Sequence, residues 1–586
     1  MKLTGSQLIC RLLEKAGIKI VAGIPGGSIL PLYNELNKSS IRHILVRQEQ
    51  AAGFIAQGMA RTTGLPAVCI ATSGPGAMNL LTSIADARSD SIPIIAITGQ
   101  VNSNLIGTDA FQEADTFGLS FPITKHSIAV KKAEELLTAI PEAFAIACEG
   151  RPGPVLIDVP RNVQLETVQI ESLPEINCSL PEQNVRFHTS QDKINELTET
   201  AAKLLADSQK PVLYIGGGCN SPKGAEVIRN FKDAFPLPVV SSLMGLGVVS
   251  ATDEDFAGMV GMHGFLAANK AMHDSDLVLA CGVRFDDRAT GLTQKFCPDA
   301  KIIHIDIDAA EINKILPAKI SIVSKIESAL PQITSHLKLL KNSSEKLQKR
   351  IDWLNEIKNF KKSTFSMEAG SCRANGAKLF ECSVNPRKFM AELPEYAQKA
   401  GLSKNDLLVT TDVGQHQMFA AQYYPVENPR TFLTSGSLGT MGFGLPTAIG
   451  ASLANPSKRV VCFSGDGSIM MNIQELATLQ ENNLAVTVIV FINRTLGMVY
   501  QQQKFLFDKN YSASVFSDEK TDFLKISEGF GIESTCANTD ALWYKKAFDS
   551  SRKNKPFFVT VYVEPEEEVL PYVPGGKANI DAILHS

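Results

Sequence analysis

Arg459-Val460-Val461-Cys462-Phe463-Ser464-Gly465-Asp466-Gly467-Ser468 reads as a buried β-strand, Arg459–Phe463, running into a glycine turn. Asn472-Ile473-Gln474-Glu475-Leu476-Ala477-Thr478-Leu479 follows with helical spacing. A second apolar run, Val486-Thr487-Val488-Ile489-Val490-Phe491-Ile492, then ends at Asn493. Strand, helix and strand in that order predict a βαβ unit with parallel strands. Asp466 and Asn493 therefore fall at the carboxyl ends of neighbouring strands, where open α/β sheets bind ligands. One carboxylate and one amide oxygen beside backbone carbonyls suit Mg2+. The glycines let backbone N–H groups approach a phosphate closely. A Gly-Asp turn alone is a weak signal, and its specificity comes from the strands around it.

Strand and helix patterns alternate outward from this unit, predicting an α/β protein of parallel sheets with helices on both faces. The length of 586 residues is compatible with roughly three or four domains, and three blocks separate. The first, residues 1–170, places strands at Ile18–Ile24, His43–Arg47, Ala67–Thr72 and Ile92–Thr98. Thr4 and Gln7 predict a capping box that opens an amphipathic helix ending at Gly17. Glu166–Gln191, rich in Pro, Glu, Asn and Ser, reads as a linker. The second block, 190–345, runs from Lys210–Gly218 through Leu277–Gly282 and Lys301–Asp306. The Lys-rich segment Lys338–Ser363 predicts a long helix and a connection, and Ser366–Cys382 an irregular one. The third block, 375–586, holds the Gly-Asp-Gly-Ser turn, and the three blocks share a broadly similar layout.

A hydrophobic content of 44%, a charged content of 20% and a net charge of −4 are ordinary for a globular protein. With no dense Lys/Arg cluster, nucleic acid is not an expected partner. The 11 cysteines form no Cys-x-x-Cys pair, which argues against a zinc module or a disulfide framework. No signal peptide or membrane-spanning run is read, so the expected location is cytoplasmic.

Gly-Asp-Gly-Ser followed by Asn493 across a strand resembles the thiamin-diphosphate motif. Glu49, after the strand His43–Arg47 and before a helix rich in Ala and Gly, is then the second key residue. A carboxyl hydrogen-bonded to ring nitrogen N1′ of that cofactor favours its reactive imino tautomer. An apolar pocket would keep the proton available to share. A surface glutamate after a strand is the bland alternative.

Several longer motifs resemble the catalytic large subunits of acetohydroxyacid synthases, from Gly5 to about Asn579. They include Ala22–Gly27, Thr72–Gly76, Ile106–Glu113, Gly261–Gly264, Arg284–Arg288 and Thr411–Gln417. Val21–Pro31 and Gln501-Gln502-Gln503 resemble the enterobacterial isozyme I branch. The resemblance implies three doubly wound parallel-sheet domains of the thiamin-diphosphate-dependent pyruvate oxidase/decarboxylase type. These are pyrimidine-binding, central FAD-binding and diphosphate-binding, in that order. It further implies a homodimer or larger assembly with active sites at the interface, and a separate small regulatory subunit. The implied activity is decarboxylation of pyruvate and carboligation to a second 2-oxoacid, pyruvate or 2-oxobutyrate, which opens branched-chain amino-acid biosynthesis. Alternative readings are a related 2-oxoacid decarboxylase, pyruvate oxidase or other carboligase, or a non-catalytic cofactor-binding paralogue.

By the same resemblance, Glu49, Gln112, Arg288 and Gly26 form the catalytic set. Arg288 would grip the carboxylate of the second substrate bidentately. A structural Arg–Asp network among Arg284, Asp286, Asp287 and Arg288 is the alternative. Val413, Gly414, Gln415, His416, Met441, Gly467, Ser468 and Met498 would hold thiamin diphosphate, and Asp466, Asn493 and Thr495 the Mg2+. Arg151, Gly216, Gly217, Gly218, Met262, His263, Gly264, Arg284 and Asp306 would hold FAD, and Val101, Phe111 and Gln502 would set substrate preference. Val573–Gly576 resembles a mobile tail that helps close the site.

Four positions depart from the family pattern. Gln48 replaces a histidine before the glutamate, and Arg161 replaces a lysine after Asp158-Val159-Pro160. Val323-Ser324-Lys325 stands where an aspartate usually contacts the adenine end of FAD, a loss of about 1 kcal/mol if that bond is absent. Gln502 stands where most biosynthetic members have the tryptophan that favours 2-oxobutyrate. One methylene in such a pocket is worth roughly 1–3 kcal/mol, or about 10–200-fold, so pyruvate is the expected second substrate.

Overall fold

The computed structural model describes residues 1–177, 190–340, 343–364, 383–516 and 521–584. The segment 366–382 and most of the linker beyond residue 177 lie outside the described residues. Three six-stranded sheets, each parallel throughout, organise the chain. In space the first runs Arg42–Leu45, Ile20–Gly23, Ala67–Ala71, Ile94–Gln100, Val155–Pro160, His126–Ala129. The last runs Phe432–Leu433, Leu407–Thr411, Arg459–Gly465, Val486–Ile492, Phe557–Tyr562, Ser534–Cys536. Counted along the chain, both have the strand order 2-1-3-4-6-5, with the switch point between the first and third strands. The middle sheet runs Phe256–Met259, Val239–Ser241, Pro211–Ile215, Leu277–Cys281, Lys301–Asp306, Ile320–Val323. Its order is 3-2-1-4-5-6, that of dinucleotide-binding folds.

Strands buried on both faces explain the near-continuous apolar runs: every residue of Val486–Ile492 and of Ala67–Ala71 is buried. One core joins the first and third sheets through the helices Glu49–Thr63 and Gly444–Ala454. Their glycines let the backbones touch, since a Cβ on Gly58 would stand 2.2 Å from the Thr447 carbonyl oxygen. A Cβ on Gly450 would stand 2.0 Å from that of Ile55. The Ala/Gly richness of Glu49–Thr63 is therefore a consequence of close helix crossing.

The capping box forms as read: Thr4 Oγ1 accepts the Gln7 N–H, Gln7 Oε1 accepts the Thr4 N–H, and Gly17 takes φ 82° just past the helix. The start of the linker is ordered instead, because Thr167–Gln169 pairs antiparallel with Lys2–Thr4. The helix expected at Asn472–Leu479 forms as Glu475–Glu481, three residues late, and the single turn Asp466–Ile469 precedes it. Between the two, Asn472 donates its Nδ2 to the Gly442 carbonyl at 2.7 Å.

Asp158 is buried in the first sheet, where Thr98 Oγ1 donates to it at 2.6 Å and Gln100 Nε2 at 3.0 Å. Burial pushes its pKa up to about 6. The folded carboxyl keeps its proton over a range in which the unfolded one, near 3.9, has released it, so ionisation disfavours folding as pH rises. Relative to Asp158→Asn, the native protein is expected to lose on the order of 3 kcal/mol between about pH 4 and pH 7. Denaturant unfolding of both proteins at the two pH values checks this, and parallel profiles would contradict it.

Candidate functional site

At the switch point of the last sheet, Leu407–Thr411 and Arg459–Gly465 end side by side and each feeds a glycine turn. Gly414 takes φ 153°, and a Cβ there would stand 2.9 Å from His416 Cε1. Across from it, a Cβ on Gly465 would stand 3.0 Å from His416 Nδ1. The Asp466 carboxylate is buried beneath the second turn. It accepts the N–H groups of Arg494 at 2.7 Å, Gly467 at 2.9 Å and Asn493 at 3.2 Å. Burial pushes its pKa up to about 7 against those donors. Asn493 Oδ1 accepts the Thr495 N–H at 3.0 Å, and its Nδ2 donates to Gln415 Oε1 at 3.1 Å. Asp466 and Asn493, at the ends of neighbouring strands, are thus joined side chain to backbone. Two buried polar atoms there, His416 Nε2 and Thr495 Oγ1, have no partner among the described residues. Burial pushes the His416 pKa down to about 3, so the imidazole is neutral. Ser468 Oγ accepts the Gly465 N–H at 3.0 Å and fastens the turn.

Sequence reasoning missed Asp412, although it lies inside the Thr411–Gln417 motif. Its buried carboxylate accepts the N–H groups of Val413 and Gly442, each at 2.8 Å, and of Gly444 at 3.3 Å. It ties the Val413 turn to the glycines just after Met441. A carboxylate between two glycine loops was the signal available for it.

On the first sheet the corresponding rim carries Gly26, Glu49 and Gln112. A Cβ on Gly26 would stand 2.5 Å from Thr72 Cγ2. Gln112 takes φ 60° and packs its backbone on Gly74, whose missing Cβ would meet the Gln112 carbonyl at 2.8 Å. Phe111 beside it is 89% exposed, whereas Val101 is buried. Glu49 opens its helix, and its Oε2 accepts from Asn79 Nδ2 at 2.9 Å. The apolar enclosure expected for Glu49 is not provided by this domain. The residue is only half-buried, and Met78 on the neighbouring helix is 50% exposed.

A cavity of about 700 Å³ opens at the switch point of the middle sheet. It is lined by Gly217, Gly218, Arg151, Asp306, Ser324 and Lys325 of the middle sheet's surroundings, by Met262, His263, Arg284 and Arg288, and by Val413, Gly414, Met498 and Gln502 of the third domain. Gly216 and Gly264 shape it from behind: a Cβ on Gly216 would stand 2.1 Å from the Gly282 carbonyl, and one on Gly264 2.5 Å from the Val260 carbonyl carbon. Phe285, left-handed at φ 53° and packed among Tyr214, Phe296 and His304, turns the chain between Arg284 and Asp286. Arg284 donates to the Ser89 carbonyl at 2.5 Å and to Ser437 Oγ, and Asp286 caps the next helix. No buried Arg–Asp network forms from these residues. The Arg288 side chain is 67% exposed, with only a 3.8 Å approach to Asp287. The tail is fastened beside it, the Val573 N–H donating to the Met262 carbonyl and Asn579 Nδ2 to the Ala289 carbonyl. The Glu49 and Gln112 rim and the Asp466 turn do not line this cavity. Among the described residues no cluster of three His, Cys, Asp or Glu side chains forms, and no helix is long and apolar enough to cross a membrane.

Two sheets of one order on either side, along the chain, of a third of dinucleotide-binding order, with Asp466 and Asn493 joined at neighbouring strand ends, define a thiamin-diphosphate-dependent enzyme. Residues 3–119, 198–333 and 412–561 match, respectively, the N-terminal TPP binding, central and C-terminal TPP binding domains of the thiamine pyrophosphate enzymes. The chain belongs to the family of acetolactate synthase large subunits, the catalytic subunits of that enzyme. It is 44% identical to the acetolactate synthase isozyme 1 large subunit of Escherichia coli, over 99% of this chain and 98% of that one. The acetolactate synthase large subunit of Haemophilus influenzae is 41% identical over 100% and 98%. The isozyme 2 large subunit of Escherichia coli is 40% identical over 99% of each.

Proposed function

We propose that the chain joins two molecules of pyruvate into 2-acetolactate with loss of carbon dioxide, using thiamin diphosphate with Mg2+, and that it holds FAD in the central cavity. The observation that carries the product assignment is Gln502, one turn beyond Met498 on a helix that lines the same cavity as Arg288, with no aromatic side chain at that position. The donor set fits the cofactor. His416, set between Gly414 and Gly465, leaves its Nε2 unpartnered, as does Thr495 Oγ1 beside Asn493, and Asp466 and Asn493 offer the oxygen ligands a hard cation takes. When bound, thiamin diphosphate would supply a nucleophilic carbon for the keto group and an electron sink for decarboxylation. Glu49 holds a proton at ring nitrogen N1′, and Gln112 stands on the same rim. Arg288 receives the carboxylate of the second 2-oxoacid, which its exposure at the cavity allows.

The Gly217-Gly218 turn at the switch point and the span of the cavity support the flavin, which has no net redox step to serve. Ser324 and Lys325 line the cavity in place of the aspartate acceptor, which weakens the hold on adenine. The half-buried Glu49, left without an apolar enclosure by its own N-terminal domain, supports a homodimer in which each site combines the rim of one chain with the turn of the other. That the relatives are named large subunits supports a small regulatory partner.

Purified protein incubated with pyruvate, thiamin diphosphate and Mg2+, with and without FAD, tests this reading. Acetolactate is the expected product, and acetaldehyde or acetyl phosphate as the main product would overturn it. Gln502→Trp is expected to move the preference toward 2-oxobutyrate by roughly 10–200-fold, through the contact it restores to the extra methyl. Competition at equal substrate concentrations checks this, and an unchanged product ratio would count against Gln502 as the determinant.

A further inference from the structure

Three buried carboxamides form a chain beneath the cofactor turn. Asn493 Nδ2 donates to Gln415 Oε1 at 3.1 Å, Gln415 Nε2 to Gln501 Oε1 at 3.2 Å, and Gln501 Nε2 to the Val569 carbonyl at 3.0 Å. The Val569 N–H returns to Gln501 Oε1 at 2.8 Å, and Gln415 Nε2 also reaches the Glu567 carbonyl at 2.8 Å. All three amides donate in the same direction, away from Asn493, so their dipoles reinforce one another. The arrangement leaves Asn493 Oδ1 turned toward Thr495 in the loop that wraps Asp466. A glutamine that merely satisfied the backbone of Val569 would not share its carbonyl with Gln415.

The backbone makes room for this chain. A Cβ on Gly497 would stand 2.1 Å from Gln415 Oε1 and 2.8 Å from Asn493 Nδ2, so only glycine leaves that bond intact. Gly497 and Gln501 both lie on the helix Gly497–Leu506, which also carries Met498 and Gln502 on the cavity wall. We propose that Gln501 is a positioning residue: it sets the carboxamide of Asn493 for the divalent cation and couples that setting to the helix bearing Gln502. The inference rests on the reading that this turn binds thiamin diphosphate with Mg2+.

The test titrates Mg2+ into the full-length protein at saturating thiamin diphosphate, following heat by calorimetry. Melting temperature without cofactor and the acetolactate to acetohydroxybutyrate ratio are measured in parallel. Gln501→Met removes the polar link at similar volume, and Gly497→Ala blocks it sterically while every polar group remains. Both are expected to weaken Mg2+ by roughly 10–100-fold, the scale of outer-shell partners, and to shift the product ratio in one direction. Gln501→Glu keeps the acceptor for Gln415 and is expected to recover most of the affinity. Unchanged Mg2+ affinity in either folded variant overturns the proposal. So does failure of both to fold, which would make Gln501 a residue of the core alone. If the unaltered protein binds thiamin diphosphate equally well without Mg2+, the underlying reading of the turn falls instead.

Discussion

Glu49→Gln is expected to lower acetolactate formation by roughly 10²–10⁴-fold, the range spanned by positioned proton-transfer groups. Glu49 stands in the first turn of Glu49–Thr63, where the helix dipole favours a negative charge. Asn79 takes Oε2, while Oε1 lies over Gly76, where an added Cβ would approach it to 3.3 Å. One oxygen is therefore oriented by a neighbour, and the other faces a surface with no side chain in the way. Glutamine preserves size and can still hydrogen-bond, but its amide cannot share or return a proton at N1′. The helix-dipole contribution lost is about 0.3–1 kcal/mol, small enough for the fold to survive. The expected outcome is a fall in kcat with thiamin diphosphate affinity retained, measured by turnover of pyruvate and by cofactor titration. Undiminished turnover would refute the assignment of Glu49.

What could be read from the sequence was local. The capping box at Thr4 and Gln7 needs only two side chains three residues apart, and the strand Val486–Ile492 needs only one apolar run; both stand where they were expected. Asp466 and Asn493 were placed together because a βαβ unit brings consecutive strand ends side by side. Elements fixed by distant partners escaped. The helix after Ser468 starts at Glu475 and not at Asn472, whose side chain is bonded to Gly442, 30 residues away. Asp412 has a role only once Gly442, Gly444 and Ser464 have been folded over it. The enclosure of Glu49 was expected from its chemistry, yet the chain's own N-terminal domain leaves the residue half-buried. No periodicity carries that information.

Arg61→Leu is expected to destabilise the protein by about 3–5 kcal/mol, the cost of leaving buried charge uncompensated. Arg61 meets Asp90 at 2.8 Å and Asp86 at 3.4 Å, with side chains 4%, 0% and 0% exposed. Its remaining donors, Nε and Nη1, reach Gln57 Oε1 at 3.2 Å and the Thr434 carbonyl at 3.1 Å, and its guanidinium lies 5.0 Å from the centre of the Phe443 ring. The two aspartates in turn hold the loop that leads to Met441. Asp90 accepts the N–H groups of Gly436 and Ser437, each at 3.0 Å, and Asp86 accepts from Ser435 and from Thr440 Oγ1 at 2.9 Å. Arg284, from the cavity wall, closes the junction on Ser437. Burial, and then Asp90, already push the Asp86 pKa up, and Arg61 is the main group opposing them. Without it the Asp86 carboxyl holds its proton still more tightly when folded than when unfolded, so the folded state gains relative stability as pH falls. The deficit of Arg61→Leu should therefore shrink from pH 7 toward pH 4. Adding Asp86→Asn and Asp90→Asn should recover part of it, because neutral amides need no counter-charge. Denaturant unfolding of the three proteins across that range provides the measurement. A deficit below about 1 kcal/mol with no pH dependence would mean that the junction is held by packing and backbone hydrogen bonds instead.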